Sequence, residues 1–87
     1  MDSTEDQRAA VRAFVARHLN GVEFTDEQDL FAAGYVNSLF AVQIVMFVEG
    51  TLGVPVAGDD LDIRNFTSVE RIDGFVTRKR ATDLARS

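Results

Sequence analysis

The sequence predicts a small all-α domain of four helical segments, with a long loop between the first and the second. Apolar residues recur at the three- and four-residue spacing of a helix face, and residues that favour helix ends stand beside these segments. No stretch alternates polar and apolar residues for long enough to predict a strand. A chain of 87 residues supports one core, because it buries only about 60% of its unfolded surface. We therefore expect a single domain over residues 1–87, with its core at about 5–80.

The composition excludes several classes of function. Nine Lys and Arg against 14 Asp and Glu give a net charge of −5, whereas nucleic-acid binding normally needs a basic surface. The absence of Cys rules out a disulfide framework, a thiolate metal site and a cysteine nucleophile, and a single His cannot form a His-rich metal cluster. We expect no nucleic-acid partner and no metal, and any thiol chemistry must come from outside the chain.

The amino terminus and the longest apolar stretch bear on location. Residues 1–6 are acidic and polar, without the basic stretch and apolar block of a secretory signal. The longest apolar stretch, Leu39 to Val48, has ten residues including one Gln, well below the roughly 20 needed to span a bilayer. These features predict a cytoplasmic protein that does not enter a membrane.

The first helix is predicted from about Thr4 to Leu19. Thr4 and Gln7 have the spacing of a capping box, and Asn20 with Gly21 tolerates the left-handed conformation that ends many helices. The helical spacing predicts an inward face of Val11, Phe14, Val15, His18 and Leu19.

The connection from Gly21 to Asn37 follows no single period, yet it is too apolar for a solvated linker. We therefore expect an ordered loop that packs onto the core. Its apolar members are Phe24, Leu30, Phe31, Tyr35 and Val36.

The second helix is predicted from about Ser38 to Leu52, with Gly53 and Pro55 as stop signals. Its spacing predicts an inner stripe of Leu39, Val42, Val45 and Leu52.

A short helical turn is predicted next, over residues 59–65, with Leu61 and Ile63 as its anchors. The capping-box signature of residues 67–70 then opens the last helix. The basic run 78–80 is placed near the carboxyl end of that helix, where the helix dipole favours cations. The predicted inward residues of the last helix are Val69, Ile72, Phe75 and Val76.

The segment from Gly34 to Leu39 places a hydroxyl, that of Ser38, at the start of the second helix. Such a helix end presents unpaired N–H groups and a partial positive charge, so a phosphate on Ser38 would be favoured by roughly 0.3–1 kcal/mol at an exposed site. The alternative is that Asn37 or Ser38 merely caps the helix, since both are preferred N-cap residues. The local pattern alone favours the cap.

The order of the helices and the loop, together with the segment around Ser38, resembles the acyl carrier protein family over approximately residues 5–80. In that family the serine of an Asp-Ser-Leu or similar tripeptide receives 4′-phosphopantetheine from coenzyme A. The matching residues here are Ser38 and Leu39, and the likeness is strongest over residues 37–49, where serine, helix register and Glu49 fall at the family's spacing together. The resemblance implies a four-helix bundle of acyl-carrier type with a long ordered loop and a short third helix.

One position departs from fatty-acid carriers, which commonly have Asp where this chain has Asn37. In having Asn beside the serine, the chain is similar to discrete carriers of some polyketide and hybrid pathways. These include carriers that hold glycerate-derived methoxymalonyl or hydroxymalonyl units.

The resemblance implies a carrier of acyl thioesters rather than an enzyme, acting in polyketide, antibiotic or related secondary-metabolite biosynthesis. The expected partners are a phosphopantetheinyl transferase and the enzymes that load and process the acyl group, such as an acyltransferase or a ketosynthase. We expect a stand-alone monomer, and a domain excised from a larger synthase stays open as the alternative. The absence of Cys agrees with the carrier function, because the prosthetic arm supplies the thiol.

One face of the second helix is a candidate docking surface. Phe40 and Phe47 lie two helical turns apart with Gln43 between them. In the alternative interpretation, the long loop covers these rings; the two interpretations stay open for Phe40, and exposure is favoured for Phe47. The predicted partner-binding residues are Asn37, Leu39, Phe40, Gln43 and Phe47.

Three other functions stay open at this point. An aminoacyl or peptidyl carrier would use the same serine. An unmodified helical adaptor would bind a protein through Phe40 and Phe47, with Ser38 only a cap. A small hydrolase would depend on His18, which has no evident Ser or Cys partner in the sequence.

Overall fold

Three α-helices make up most of the chain in the computed structural model, which describes residues 3–86 and the side chains of residues 5–82. No strand occurs within residues 3–86, so the all-α class is confirmed. The helices are α1 (Ser3–Leu19), α2 (Ser38–Gly50) and α3 (Val69–Arg86).

The segment between α2 and α3 forms two short 3₁₀ helices, Gly58–Asp60 and Ile63–Phe66, in place of the predicted single turn over residues 59–65. A carboxylate caps each of them: Asp60 Oδ2 accepts from the Ala57 N–H at 2.9 Å, and Asp62 Oδ1 accepts from the Arg64 N–H at 3.0 Å. Such local bonds compete with a continuous α-helix. The chain therefore turns twice here.

The anchor of this segment is Phe66, which is 2% exposed and stacks edge-on against the Phe75 ring, with 5.4 Å between centroids. The predicted anchors were wrong. Leu61 and Ile63 are 61% and 48% exposed, because the Asp62 cap turns them away from the core.

Helix α1 packs against α3 and ends as predicted. Asn20 and Gly21 have φ values of +50° and +95°, the left-handed conformation expected from their sequence. Of the predicted inward face, Phe14 lies half-buried at the edge and His18 is exposed. The buried members are Val11, Val15 and Leu19.

A buried polar cluster joins α1 to α3. Gln7 donates to Asp73 Oδ1 at 2.8 Å and to Thr77 Oγ1 at 2.9 Å, and it accepts from Arg80 at 2.6 Å. Arg8 Nε completes the cluster by donating to Asp73 Oδ2 at 3.2 Å. This hydrogen bond to Asp73 raises the pKa of the Arg8 guanidinium. The side chain of Gln7 is thus used between helices, and the predicted capping box with Thr4 lies outside the described side chains.

Helix α2 buries a different face from the predicted stripe. Leu39 and Val42 are 62% and 56% exposed, and Val45 and Leu52 are only partly buried. Nine of the 13 residues of α2 are apolar and they occur on both of its sides, so spacing alone could not distinguish the two sides. The helix also ends at Gly50, before the predicted Leu52. Its buried residues are Phe40, Ile44, Phe47 and Val48.

The connection from residue 20 to 37 is tied to the start of α3 by two backbone hydrogen bonds. The Leu30 N–H donates to the Thr67 carbonyl at 2.8 Å, and the Glu70 N–H donates to the Asp26 carbonyl at 2.8 Å. Leu30 is fully buried. These bonds fix the position of the connection, which leads into α2, relative to the start of α3.

Helix α3 is capped by Ser68, whose Oγ accepts from the Arg71 N–H at 3.1 Å, one residue later than the predicted cap at Thr67. The predicted inward residues of α3, namely Val69, Ile72, Phe75 and Val76, are all buried.

The basic run 78–80 lies in the middle of α3, because the helix continues to Arg86. Lys79 Nζ contacts Asp60 Oδ2 at 2.7 Å, and Arg80 donates to the Leu52 carbonyl at 2.7 Å. The run therefore fastens other segments onto α3, and its predicted position at the carboxyl end was wrong.

Candidate functional site

Ser38 is the first residue of α2 and is exposed. The helix cap comes from its neighbour, because Asn37 has an extended backbone and its Oδ1 accepts from the Leu39 N–H at 3.1 Å. The first turn of α2 contains no acidic residue. A reachable hydroxyl, not needed as the cap, therefore stands at a helix end that favours negative charge.

Replacing Asn37 by Ala is expected to lower the free energy of unfolding by about 0.5–2 kcal/mol, since it removes the cap of α2. Urea denaturation followed by circular dichroism measures this. Asn37→Asp is the control, because Asp also caps and its charge suits a helix start. Equal stability of the Ala and Asp variants would contradict the capping role.

An apolar groove of about 390 Å³ opens beside Ser38. One wall is α2 and the other is the segment that carries Leu61, Ile63 and Phe66. Ser38 is the polar residue at its edge. The other lining residues, all from α2, are Ala41, Val42, Val45 and Met46.

The predicted docking residues divide into two groups. Asn37 and Leu39, on either side of the exposed Ser38, are exposed, and Gln43 is half-buried. Phe40 and Phe47 are 4% and 9% exposed. The expectation that Phe47 is exposed was wrong, and Phe40 follows the covered alternative.

Aromatic rings from α1 and from the connection cover Phe40 and Phe47. The Phe14 ring stacks on Phe47 with 4.5 Å between centroids, and Phe31 meets Phe40 edge-on at 6.2 Å. His18 lies against Phe14 at 4.3 Å between centroids. These two phenylalanines therefore belong to the core between α1 and α2 rather than to a docking face.

Five exposed apolar side chains lie next to Ser38 or along the groove that it lines. Leu39, Val42 and Met46 recur at the three- and four-residue spacing of one helix face, and Val42 and Met46 share the groove with Leu61 and Ile63. Their exposed fractions run from 48% to 66%. We call this set, Leu39, Val42, Met46, Leu61 and Ile63, the apolar patch.

Comparison with protein-family models finds no match, and comparison with curated proteins finds none either.

The carboxylates next to the patch form ion pairs and hydrogen bonds with neighbouring groups. The Lys79 ammonium and the Ala57 N–H lower the pKa of Asp60, and the Arg64 guanidinium lowers the pKa of Asp62 to about 2. Both groups stay ionised at neutral pH. No group of three or more metal-ligating side chains lies within the part of the chain that the structure describes.

His18 lies on the opposite side of α2 from the groove, next to Gln43. Its Nδ1–H donates to the Phe14 carbonyl oxygen at 3.0 Å. This bond and the stacking on Phe14 account for the orientation of the ring.

Over the described range, no helix has the combination of length and apolar character required to cross a membrane.

Proposed function

We propose that the chain is an acyl carrier protein in which Ser38 carries 4′-phosphopantetheine. The observation that carries the proposal is the exposed Ser38 hydroxyl at the start of α2, beside an apolar groove, with Asn37 already serving as the cap. When bound, the group supplies a thiol on a flexible arm, and this thiol holds an acyl group as a thioester.

The residues around Ser38 suit a phosphodiester. Ser38 Oγ is the attachment atom, and the backbone N–H groups of the first turn of α2 favour its negative charge. No carboxylate in that turn opposes the charge. The groove offers apolar side chains to the arm and its cargo.

The fold we propose for this function is the acyl-carrier type of helical bundle. The connection over residues 20–37 supplies the long loop. The two 3₁₀ helices, Gly58–Asp60 and Ile63–Phe66, take the position of the short third helix, and α3 takes that of the fourth.

We propose a role in polyketide or related secondary-metabolite biosynthesis, in the cytoplasm, with no catalytic activity of its own. The partners are a phosphopantetheinyl transferase and the enzymes that load and process the acyl group. Asn37 supports a carrier of the discrete polyketide type, with methoxymalonyl or hydroxymalonyl units among its candidate cargoes.

The experiment is an intact-mass measurement after incubation with coenzyme A and a broad-specificity phosphopantetheinyl transferase. The wild-type chain is expected to gain one phosphopantetheine. Ser38→Ala is expected to gain none while keeping its circular dichroism spectrum, because its cap is intact. Thr51→Ala, which removes another exposed hydroxyl, is expected to load like the wild type.

Two results would contradict the proposal: no mass gain with any of several transferases, or a gain that persists in Ser38→Ala. An unmodified adaptor that binds through Phe40 and Phe47 is less well supported, because both rings are covered. An aminoacyl carrier would show the same first mass gain, and a second gain with an adenylating enzyme and an amino acid would identify it.

A further inference from the structure

The apolar patch has a cationic side chain, that of Arg17, on its α1 border. A shallow pocket of about 360 Å³ joins Met46 of the patch to Arg17 and His18 of α1. Arg17 is exposed, and its guanidinium lies 5.9 Å from the centroid of the Phe14 ring. Among the side chains of residues 5–82, no carboxylate oxygen lies within 4.0 Å of Arg17.

Three acidic groups on the other borders each make a contact within the chain. Glu49 is the charged residue of α2, and its Oε2 accepts from the Val56 N–H at 3.1 Å. Asp60 is paired with Lys79, and Asp62 is paired with Arg64. Asp59 is exposed but lines neither the groove nor the pocket at Arg17.

We propose that the protein partner that recognises Ser38 lays an apolar surface on this patch and places an acidic side chain against Arg17. The inference rests on the proposed function, since it describes the partner of the same site. Burial of the patch supplies the affinity, and the charge pair at its edge fixes the orientation. A partner with a basic rim would meet the unpaired Arg17 and be repelled.

The net charge of −5 on the chain is compatible with a partner that carries an acidic rim. At an ionic strength of 0.15 M, charges more than about 8 Å away are largely screened. The charged groups that touch the partner therefore decide whether an acidic or a basic rim fits. Among the described charged groups at the edge of the patch, Arg17 is the one with no carboxylate beside it.

The test uses two helical peptides with the same leucine face, one flanked by Glu and the other by Lys. Each is titrated into the ¹⁵N-labelled full chain at 0.15 M salt, and amide shifts report the affinity and the place of binding. We expect the Glu-flanked peptide to bind more tightly, with the largest shifts at Leu39, Val42 and Met46. Met46→Glu is expected to weaken binding of both peptides.

Arg17→Glu is expected to lower the affinity for the Glu-flanked peptide by about two- to fivefold, the usual effect of an exposed charge contact. Arg71→Glu is the matched control, because it makes the same change of net charge at an exposed position of α3 that lines no pocket beside α2. Its affinity should equal that of the wild type.

Any of four results would overturn the inference. The Lys-flanked peptide could bind more tightly, or neither peptide could bind. Arg17→Glu and Arg71→Glu could have equal effects, or the amide shifts could lie outside the patch. Loading of Ser38 is measured separately on the same samples by intact mass. A chain that loads but shows one of these results loses only the docking proposal. A chain that does not load but prefers the Glu-flanked peptide loses the carrier function, and the surface is then that of an adaptor.

Discussion

Ile44→Ala is expected to lower the free energy of unfolding by about 2–5 kcal/mol, because it removes a fully buried side chain and leaves a cavity. Val42→Ala on the same helix is the matched control. Val42 is 56% exposed, so its truncation is expected to change stability by less than about 0.5 kcal/mol.

Urea denaturation of both variants measures this difference, with an unchanged dependence on urea concentration as the check that the unfolding reaction is the same. The comparison decides which face of α2 is buried. If Val42→Ala cost as much as Ile44→Ala, the stripe predicted from the sequence would be right and burial of the face with Phe40, Ile44, Phe47 and Val48 would be wrong.

Asp73→Ala is expected to lower the free energy of unfolding by about 1–3 kcal/mol, since it leaves buried donors without their acceptor. Asp73 is 4% exposed and accepts from both Gln7 and Arg8. The side chain of Arg8 is 42% exposed, so water replaces part of its lost bond and the cost stays below that of a fully buried ion pair.

Glu27→Ala is the control for Asp73→Ala, because it removes an exposed carboxylate from the connection. Its stability should match the wild type within about 0.5 kcal/mol. Thermal and urea unfolding of the two variants provide the measurement. Equal stability of Asp73→Ala and the wild type would mean that the cluster between α1 and α3 contributes nothing to the fold.

Signals that act over a few residues predicted the structure well. The start of α2 at Ser38 and the left-handed end of α1 at Asn20 and Gly21 both follow from residues that bond to the backbone beside them. The position of Ser38 at a helix start was predictable for the same reason. The inward residues of α3 were predictable because polar residues separate them along that helix.

Features that depend on distant contacts were not predictable. Helix α2 is apolar on both sides, so only packing against Phe14 and Phe31 decides that Phe40 and Phe47 are buried and Met46 is not. Asp73 gives no local signal, because its partner Gln7 is 66 residues away in the sequence. The apolar patch was missed for both reasons, since Leu61 and Ile63 were expected in the core.

The two walls of the groove are both fastened to the core. The helix that begins at Ser38 is held through Ile44 and Val48, and the opposite wall is held by the buried Phe66 ring against Phe75, in addition to the contact between Asp60 and Lys79. Breaking the Asp60–Lys79 contact alone therefore does not free this wall, because the buried ring still holds it. The width of the groove and the position of the serine thus depend on the same packed interior.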